Sequence, residues 1–214
     1  KLTANINVTH FITKSGDKTL DLAGYTITYS GSDSFFSRRK SVFTLSNGSF
    51  TVKNGTLNGG AKKFVRCFQV DGGTLTIEGV NIQQFSCTFG GAIIIENGAC
   101  IMNGGTISGN SASPNGTSAN SYGGGVYVSG SGTFTMNSGT ISENTADYGG
   151  GVYVNSGTFT MTGGEISHNK ANITDYSNGG GVVVYRGSFT MNGGKMSENT
   201  ANRQGGGVFV DNCG

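Results

Sequence analysis

Apolar residues in the second half of the chain come in pairs two positions apart, with polar residues between them. One stretch pairs Val152 with Val154 and Phe159 with Met161, and a single Ile166 follows. Alternation with a period of two is typical of a β-strand that buries one face. Glycines mark the breaks between these short runs, and no helical period survives between the breaks. The pattern therefore predicts short strands and no helix.

The same unit is repeated along the chain. Residues 149–204 hold two consecutive copies, and an earlier copy fills residues 123–148. The copies are about 25 to 34 residues long, and they differ mainly in the segment after the single isoleucine. A unit of this size cannot bury its apolar face alone. Stacked at roughly 4.8 Å per turn, the copies would form parallel sheets around a continuous core.

We therefore predict an all-β fold, a right-handed parallel β-helix of about seven or eight turns with three short strands per turn. The handedness follows from the general preference of parallel crossovers. The 214 residues would form a single domain, with residues 1–17 as an irregular N-terminal cap turn and residues 18–214 as repeats. The final copy stops within a turn, so we expect the C-terminal end to continue or to be covered by a partner.

One polar position of the repeat also favours stacking. Asparagine stands three residues after the single apolar residue in four successive copies, as Asn110, Asn144, Asn169 and Asn199. Amide side chains at the same place on consecutive turns can hydrogen-bond to the copies above and below them. We predict a structural asparagine ladder at one corner. The alternative is a generic polar turn residue.

Short motifs of the repeat resemble a known family. The segments GGGVYV, GGGVVV and GGGVFV, with GGAI at residues 90–93, look like the GGAI-type repeats of the chlamydial polymorphic outer membrane proteins. The second motif of that family, FxxN, occurs here as ISGN, ISEN, ISHN and MSEN. More loosely, the chain resembles pectin-lyase-like β-helix repeats of large bacterial surface proteins. This resemblance implies a passenger or stalk domain displayed outside the cell, often an adhesive one.

Aromatic residues recur at two neighbouring positions of the repeat. They are Tyr127, Tyr153 and Phe209 on the outward face of the first strand, and Phe89, Tyr122 and Tyr148 just before the glycines. An exposed aromatic ladder of this width is expected to contact sugar rings or a partner protein. Alternatively, an intramolecular segment such as residues 111–121 folds over it.

Catalysis is the weaker interpretation of the polar residues. Glu143, His168 and Glu198 align in one column and form the best cluster for acid-base or metal chemistry, but turn positions accept any polar residue. We predict no catalytic residue, no metal ligand and no cofactor. Outward rows of threonine and serine on the second strand are explained first by the β-propensity of these residues. The alternative is a flat surface that binds ice or a crystalline polysaccharide.

Charge and cysteine content limit the partners. The net charge is +2. Basic residues on two neighbouring corners, Arg38, Arg39 and Lys40 and then Lys62, Lys63 and Arg66, form only a local patch, so we expect no nucleic acid partner. No apolar run is long enough for membrane insertion. Cys67 and Cys87 belong to one turn and are a candidate disulfide.

The sequence thus predicts a non-enzymatic, extracellular or cell-surface stalk or adhesin-like passenger domain of a microbial surface protein. Its partner would be a glycan or a protein on a host or neighbouring cell, bound through the aromatic ladder. One alternative is a polysaccharide-degrading β-helix enzyme. Another is a structural subunit that self-associates end to end through the C-terminal end.

Overall fold

The structure is a computed structural model that describes residues 1–10, 12–14, 16–31, 40–113 and 120–211. Within these ranges every regular element is a β-strand, and parallel sheets stack as a β-solenoid of about seven turns. The predicted all-β solenoid is therefore confirmed. The strands are β1 (Ile6–Val8), β2 (Ile12–Lys14), β3 (Lys18–Asp21), β4 (Thr26–Tyr29), β5 (Lys40–Leu45), β6 (Ser49–Asn58), β7 (Val65–Val70), β8 (Thr74–Gln83), β9 (Ile93–Ile95), β10 (Ala99–Ser108), β11 (Val126–Ser129), β12 (Thr133–Ser142), β13 (Thr145–Ala146), β14 (Val152–Asn155), β15 (Thr158–Met161), β16 (Glu165–Ser167), β17 (Lys170–Ala171), β18 (Val182–Tyr185), β19 (Ser188–Met191), β20 (Lys195–Ser197), β21 (Thr200–Ala201) and β22 (Val208–Asp211).

Three parallel sheets run along the solenoid. The first holds 11 strands and follows the path β1-β4-β6-β8-β10-β12-β15-β19, with β3, β16 and β20 paired beside it. The second has the order β2-β5-β7-β9-β11-β14-β18-β22. The third is the short sheet β13-β17-β21. A later turn therefore has a fourth, two-residue strand, which the three-strand prediction missed because two residues are too few to show a period.

The core is built from the alternating apolar residues, which stack on their equivalents in neighbouring turns. Phe134 pairs with Phe159, and Phe159 pairs with Phe189, through parallel strands. The successive ring centroids lie 4.9 Å and 4.8 Å apart, and the rings are nearly parallel. Cys100 takes the same position one turn earlier and is fully buried. Like side chains thus fill the core at the strand spacing itself.

The asparagine position forms a continuous ladder of hydrogen bonds at one corner. The Oδ1 atom of Asn144 accepts from the backbone N and from the Nδ2 atom of Asn110, both at 3.0 Å. Asn169 accepts in the same way from Asn144, and Asn199 from Asn169. Each Nδ2 atom also donates to a backbone carbonyl of the preceding turn, at 2.8–3.0 Å. The ladder satisfies backbone groups that this corner removes from water.

The residue before each ladder position has a left-handed backbone. The φ angles are 57° at Glu143, 56° at His168 and 55° at Glu198. Glycine takes the same conformation at position 109, with φ of 61°. Because the backbone rather than the side chain is constrained there, the position accepts Gln, Gly, Glu and His. The column of Glu143, His168 and Glu198 is thus explained by corner geometry.

The first and last turns differ from the interior ones. Strands β1 and β2, within the predicted cap turn, pair in parallel with β4 and β5, so they extend the sheets. Leu2, Val8 and Ile12 pack against the core from that end. At the other end Val208 and Val210 are 39% and 62% exposed, although their equivalents one turn earlier are buried.

Candidate functional site: an aromatic groove

The outer column of the candidate site consists of Phe89, Tyr122 and Tyr148. Parallel backbone bridges join these three residues from turn to turn. The ring centroids of Phe89 and Tyr122 lie 5.6 Å apart at an interplanar angle of 7°, and those of Tyr122 and Tyr148 lie 5.4 Å apart at 18°. The stack therefore follows directly from the solenoid repeat.

The glycines that follow this column fold it against the first strand. Gly149 has φ of +67°, and a Cβ atom there would collide with the carbonyl oxygen of Val152. A Cβ atom on Gly150 would lie 2.6 Å from the carbonyl oxygen of Gly180 in the next turn. Only glycine meets both demands. The chain thus turns sharply between Tyr148 and Tyr153.

The inner column lies on the outward face of the first strand. Strand register places Ile94, Tyr127, Tyr153, Val183 and Phe209 on successive turns. The rings of Tyr127 and Tyr153 are parallel within 1°, with centroids 5.4 Å apart. Val183 interrupts the column of rings between Tyr153 and Phe209.

The predicted exposure of the inner column was wrong for its two tyrosines. Tyr127 is 8% exposed and Tyr153 is 7% exposed. The outer rings pack edge to face against them: Phe89 lies 5.6 Å from Tyr127 at 71°, and Tyr122 lies 4.8 Å from Tyr153 at 65°. The two columns therefore form a small second core outside the sheet, and only part of each outer ring faces solvent.

A groove opens where both columns lose an aromatic ring, one turn after Tyr148 and Tyr153. After Tyr148 the outer column continues as Asn178 and Gln204, which carry no ring. The inner column has only Val183 at the level of Asn178. The resulting groove has a volume of about 480 Å³. It is lined by Phe89, Asn120, Tyr122, Tyr127, Tyr148, Tyr153, Asn155, Val183, Tyr185, Phe209 and Asp211.

Four polar or amphipathic lining residues were missed in the sequence, and Asn120 is one of them. Asn155, Tyr185 and Asp211 occupy one register position on successive turns, two residues after the inner column. Asn155 donates from Nδ2 to the hydroxyl oxygen of Tyr127 at 2.9 Å. The guanidinium of Arg186 lies 5.0 Å from the centroid of the Tyr185 ring. The position differs in chemistry from copy to copy, so repetition gave no signal.

The hydroxyls of Tyr148 and Tyr153 stay protonated at neutral pH, because the pKa of each is raised. Burial raises the pKa of Tyr153, and the neighbouring Tyr122 and Tyr127 raise it further. Burial also raises the pKa of Tyr148, with smaller increases from Tyr122 and Asp147 and an opposing effect from Arg203. Protonated hydroxyls can donate as well as accept hydrogen bonds. The groove thus presents rings together with neutral polar atoms.

A buried carboxylate holds the backbone beneath the outer column. Asp147 is fully buried, and its Oδ2 atom accepts from the backbone N and the Oγ atom of Ser121, both at 2.9 Å. Ser177 Oγ donates to its Oδ1 atom at 3.4 Å. These bonds connect three consecutive turns immediately before Tyr122, Tyr148 and Asn178. These hydrogen bonds fix the backbone that carries Tyr122 and Tyr148.

The acidic column lies at another corner and does not form an enclosed site. His168 Nε2 and Glu198 Oε2 lie 2.8 Å apart, with about half or more of each side chain exposed. Glu143 lines an open hollow with Thr145, His168 and Lys170. In the described part of the chain no group of three or more His, Cys, Asp or Glu residues could hold a metal ion. A solvated ion pair of this kind contributes little to stability.

The candidate disulfide is not formed. Cys67 and Cys87 are free, buried thiols. The Cys67 side chain enters the core. Arg66, the residue before it on β7, points to the opposite face of the strand and donates from Nη2 to Cys87 Sγ at 3.0 Å. The two sulfurs therefore face different sides of the strand. Arg66 is 1% exposed, so it does not join Lys62 and Lys63 in a surface patch. Arg38 and Arg39 of the predicted patch lie outside the described residues.

In the residues that the structure covers, no helix has the length and apolar character needed to cross a membrane. Comparisons with protein-family models, with curated proteins and with solved structures found no match to this chain.

Proposed function

We propose that this chain is a non-enzymatic recognition module that binds a glycan in the aromatic groove. The observation that supports this proposal is the groove itself, in which aromatic rings converge with Asn155, Tyr185 and Asp211. Ligand sites are typically concave and mostly apolar, with a few well-placed polar groups. Sugars present apolar C–H faces and hydroxyl edges, so rings combined with amide, phenol and carboxylate atoms match both parts.

The groove is also rigid before any ligand arrives. Parallel backbone pairing holds both ring columns. The Tyr122 ring packs against Tyr148 in the next turn and against Tyr127 and Tyr153 in the other column. Little side-chain entropy remains to be lost when a ligand binds. A preorganised surface of this kind favours recognition of an extended, repetitive ligand.

The proposal also covers the cellular location of the protein. Its repeats resemble those of chlamydial polymorphic outer membrane proteins and of pectin-lyase-like bacterial surface proteins, which implies an adhesin-like stalk or passenger domain of a microbial surface protein. An elongated solenoid with a lateral groove suits contact with a glycan or a protein on another cell. We therefore propose an extracellular or cell-surface location.

Replacing Tyr148 by alanine tests this function. Tyr148 is the last ring of the outer column and lines the groove, so its loss should weaken binding to oligosaccharides found on a glycan array about ten-fold. Tyr176→Ala is the matched control, since Tyr176 is 67% exposed and lies outside the groove. Equal affinities of both variants and the parent chain would remove the groove from consideration.

End-to-end assembly is a second candidate, favoured by the exposed apolar residues of the last described turn. Met191, Val208 and Val210 present methyl groups there beside the free edges of β19 and β22. Such edges can pair with another chain. A second copy seated on this end would give a sedimentation coefficient that rises with protein concentration, whereas a constant monomeric value would argue against it.

A further inference from the structure

A second concave site lies at the N-terminal end of the solenoid, away from the aromatic groove. This N-terminal hollow has a volume of about 240 Å³ and shares none of its described lining residues with the groove. The buried rings of Phe43 and Phe50 lie at its inner end, and Ile6, which is 39% exposed, lies at its outer end. Of its described lining residues only Lys18 and Thr19 are polar. The hollow is therefore an apolar site with few polar groups.

Lys18 stands at a register position that faces the core. Strand β3 pairs in parallel with β6, which puts Lys18 beside Phe50 and Leu20 beside Val52. Phe50 and Val52 are buried, and residues in register on parallel strands point to the same face, so the Lys18 side chain also starts toward the core. Later turns carry apolar residues at this position, namely Phe50, Leu75, Cys100, Phe134, Phe159 and Phe189. The first turn thus places a cation where the others place a core side chain.

The ammonium group of Lys18 is available to a ligand. The side chain lines the hollow but is exposed overall, as expected of a stem that covers apolar surface while its charged end reaches water. Among the described residues it has neither a hydrogen bond nor an ion pair. The adjacent Asp17 is engaged on the outer face, where its Oδ1 atom accepts from the backbone N and the Oγ atom of Ser49 at 2.9 Å and 2.7 Å. Those bonds lower the pKa of Asp17 more than the charge of Lys18 does, so Asp17 is not a fixed counter-ion for the lysine.

The shape of the hollow and its single cation together select a class of ligand. An apolar cavity offers water too few polar partners, and it would leave the hydroxyls of a sugar unpaired. An alkyl chain fits such a cavity, because each methylene group that leaves water favours binding. The cation at the opening matches one carboxylate. A hollow of this size takes one alkyl chain, whereas a membrane phospholipid carries two, so a free fatty acid is the better match.

We infer that the N-terminal hollow binds the alkyl chain of a free fatty acid and that the Lys18 ammonium group pairs with its carboxylate. This site is independent of the proposed glycan binding, because it lies in another part of the solenoid. Fatty acid binding and glycan binding can therefore fail separately, and glycan affinity serves as an internal control.

Calorimetric titration with hexanoate, octanoate and octan-1-ol tests the inference. We expect octanoate to bind about 15-fold more tightly than hexanoate, since each of its two further methylene groups should contribute about four-fold. Octanoate should bind about five-fold more tightly than octan-1-ol, which lacks the charge. In Lys18→Gln this second ratio should fall to about one. The matched control Lys53→Gln removes a lysine of β6 that alternates with the buried Val52 and so points outward, and it should keep both ratios.

A second variant fills the hollow without removing the charge. Ile6→Trp adds a bulky ring at the outer end, so it should weaken octanoate binding about ten-fold or more while leaving glycan binding unchanged. Thermal unfolding shows whether the variant is folded. A folded Ile6→Trp chain that binds octanoate as the parent chain does would place the alkyl chain elsewhere and overturn the inference.

Three further results would also overturn it. The first is an affinity for octanoate no higher than that for hexanoate in the parent chain. The second is a preference for octanoate over octan-1-ol that survives in Lys18→Gln; self-association of that variant would then show that Lys18 keeps the edge strands from pairing. The third is a sedimentation coefficient that rises with protein concentration in the absence of any octanoate binding, which would assign the hollow to a second copy of the chain.

Discussion

Replacing Asn144 by alanine should lower the free energy of unfolding by about 4 kcal/mol, because the change leaves several buried polar groups without partners. Its Oδ1 atom accepts two hydrogen bonds from Asn110, and its Nδ2 atom donates to Ile107 O and to Asn169 Oδ1. Asn144 is fully buried. Alanine is too short to replace any of these bonds, and a buried corner offers little access to water. Chemical denaturation would measure the loss.

A second asparagine provides the control. Asn137 donates from Nδ2 to Asn103 Oδ1 at 2.9 Å, but this bond is exposed to solvent. Water can replace it, so Asn137→Ala should cost less than about 1 kcal/mol. Similar losses in the two variants would show that the ladder adds nothing beyond an ordinary surface amide.

Replacing Val183 by tyrosine should weaken oligosaccharide binding about 100-fold while leaving the solenoid folded. Val183 is the residue that interrupts the inner column, with Tyr153 on one side in register and Phe209 on the other. At about 4.8 Å per turn, these neighbours are roughly 9.6 Å apart, which is the room that one further ring needs in such a stack. A tyrosine there would continue the column and fill the groove from within.

The control for this change adds a ring to the same face outside the groove. Thr44 lies on β5 at the equivalent outward position, paired with Gln69. Thr44→Tyr should leave binding within a factor of about two. Unchanged binding in Val183→Tyr, with a normal thermal unfolding transition, would place the ligand elsewhere.

The sequence predicted the fold because each copy repeats the same positional chemistry. The alternation at Val152 and Val154 defines which face is buried, and the glycines at 149–151 define where the chain turns. The two-residue strand at Lys170–Ala171 was too short to give such a pattern. Repetition is therefore informative for long elements and silent for short ones.

The candidate site was predicted only in part. The six aromatic residues were identified from their positions, and the structure brings them together in two columns. The exposure of Tyr127 and Tyr153 was misjudged, because the edge-to-face packing of Tyr122 on Tyr153 depends on how sharply the glycines fold the chain. Tyr185 and Asp211 were missed because that position changes its chemistry in every copy. A feature that belongs to a single turn gives no repeated pattern, so only the three-dimensional structure reveals it.

The most direct test of the proposed site is an NMR titration of the tyrosine-labelled chain with an oligosaccharide that it binds. Of the eight tyrosines, five line the groove, at positions 122, 127, 148, 153 and 185. Tyr25, Tyr29 and Tyr176 lie outside it and serve as internal controls. We expect the ring signals of the groove tyrosines to shift with one dissociation constant while the three controls stay constant. Saturable binding that shifts only the controls, or none of the eight, would contradict a groove-bound glycan.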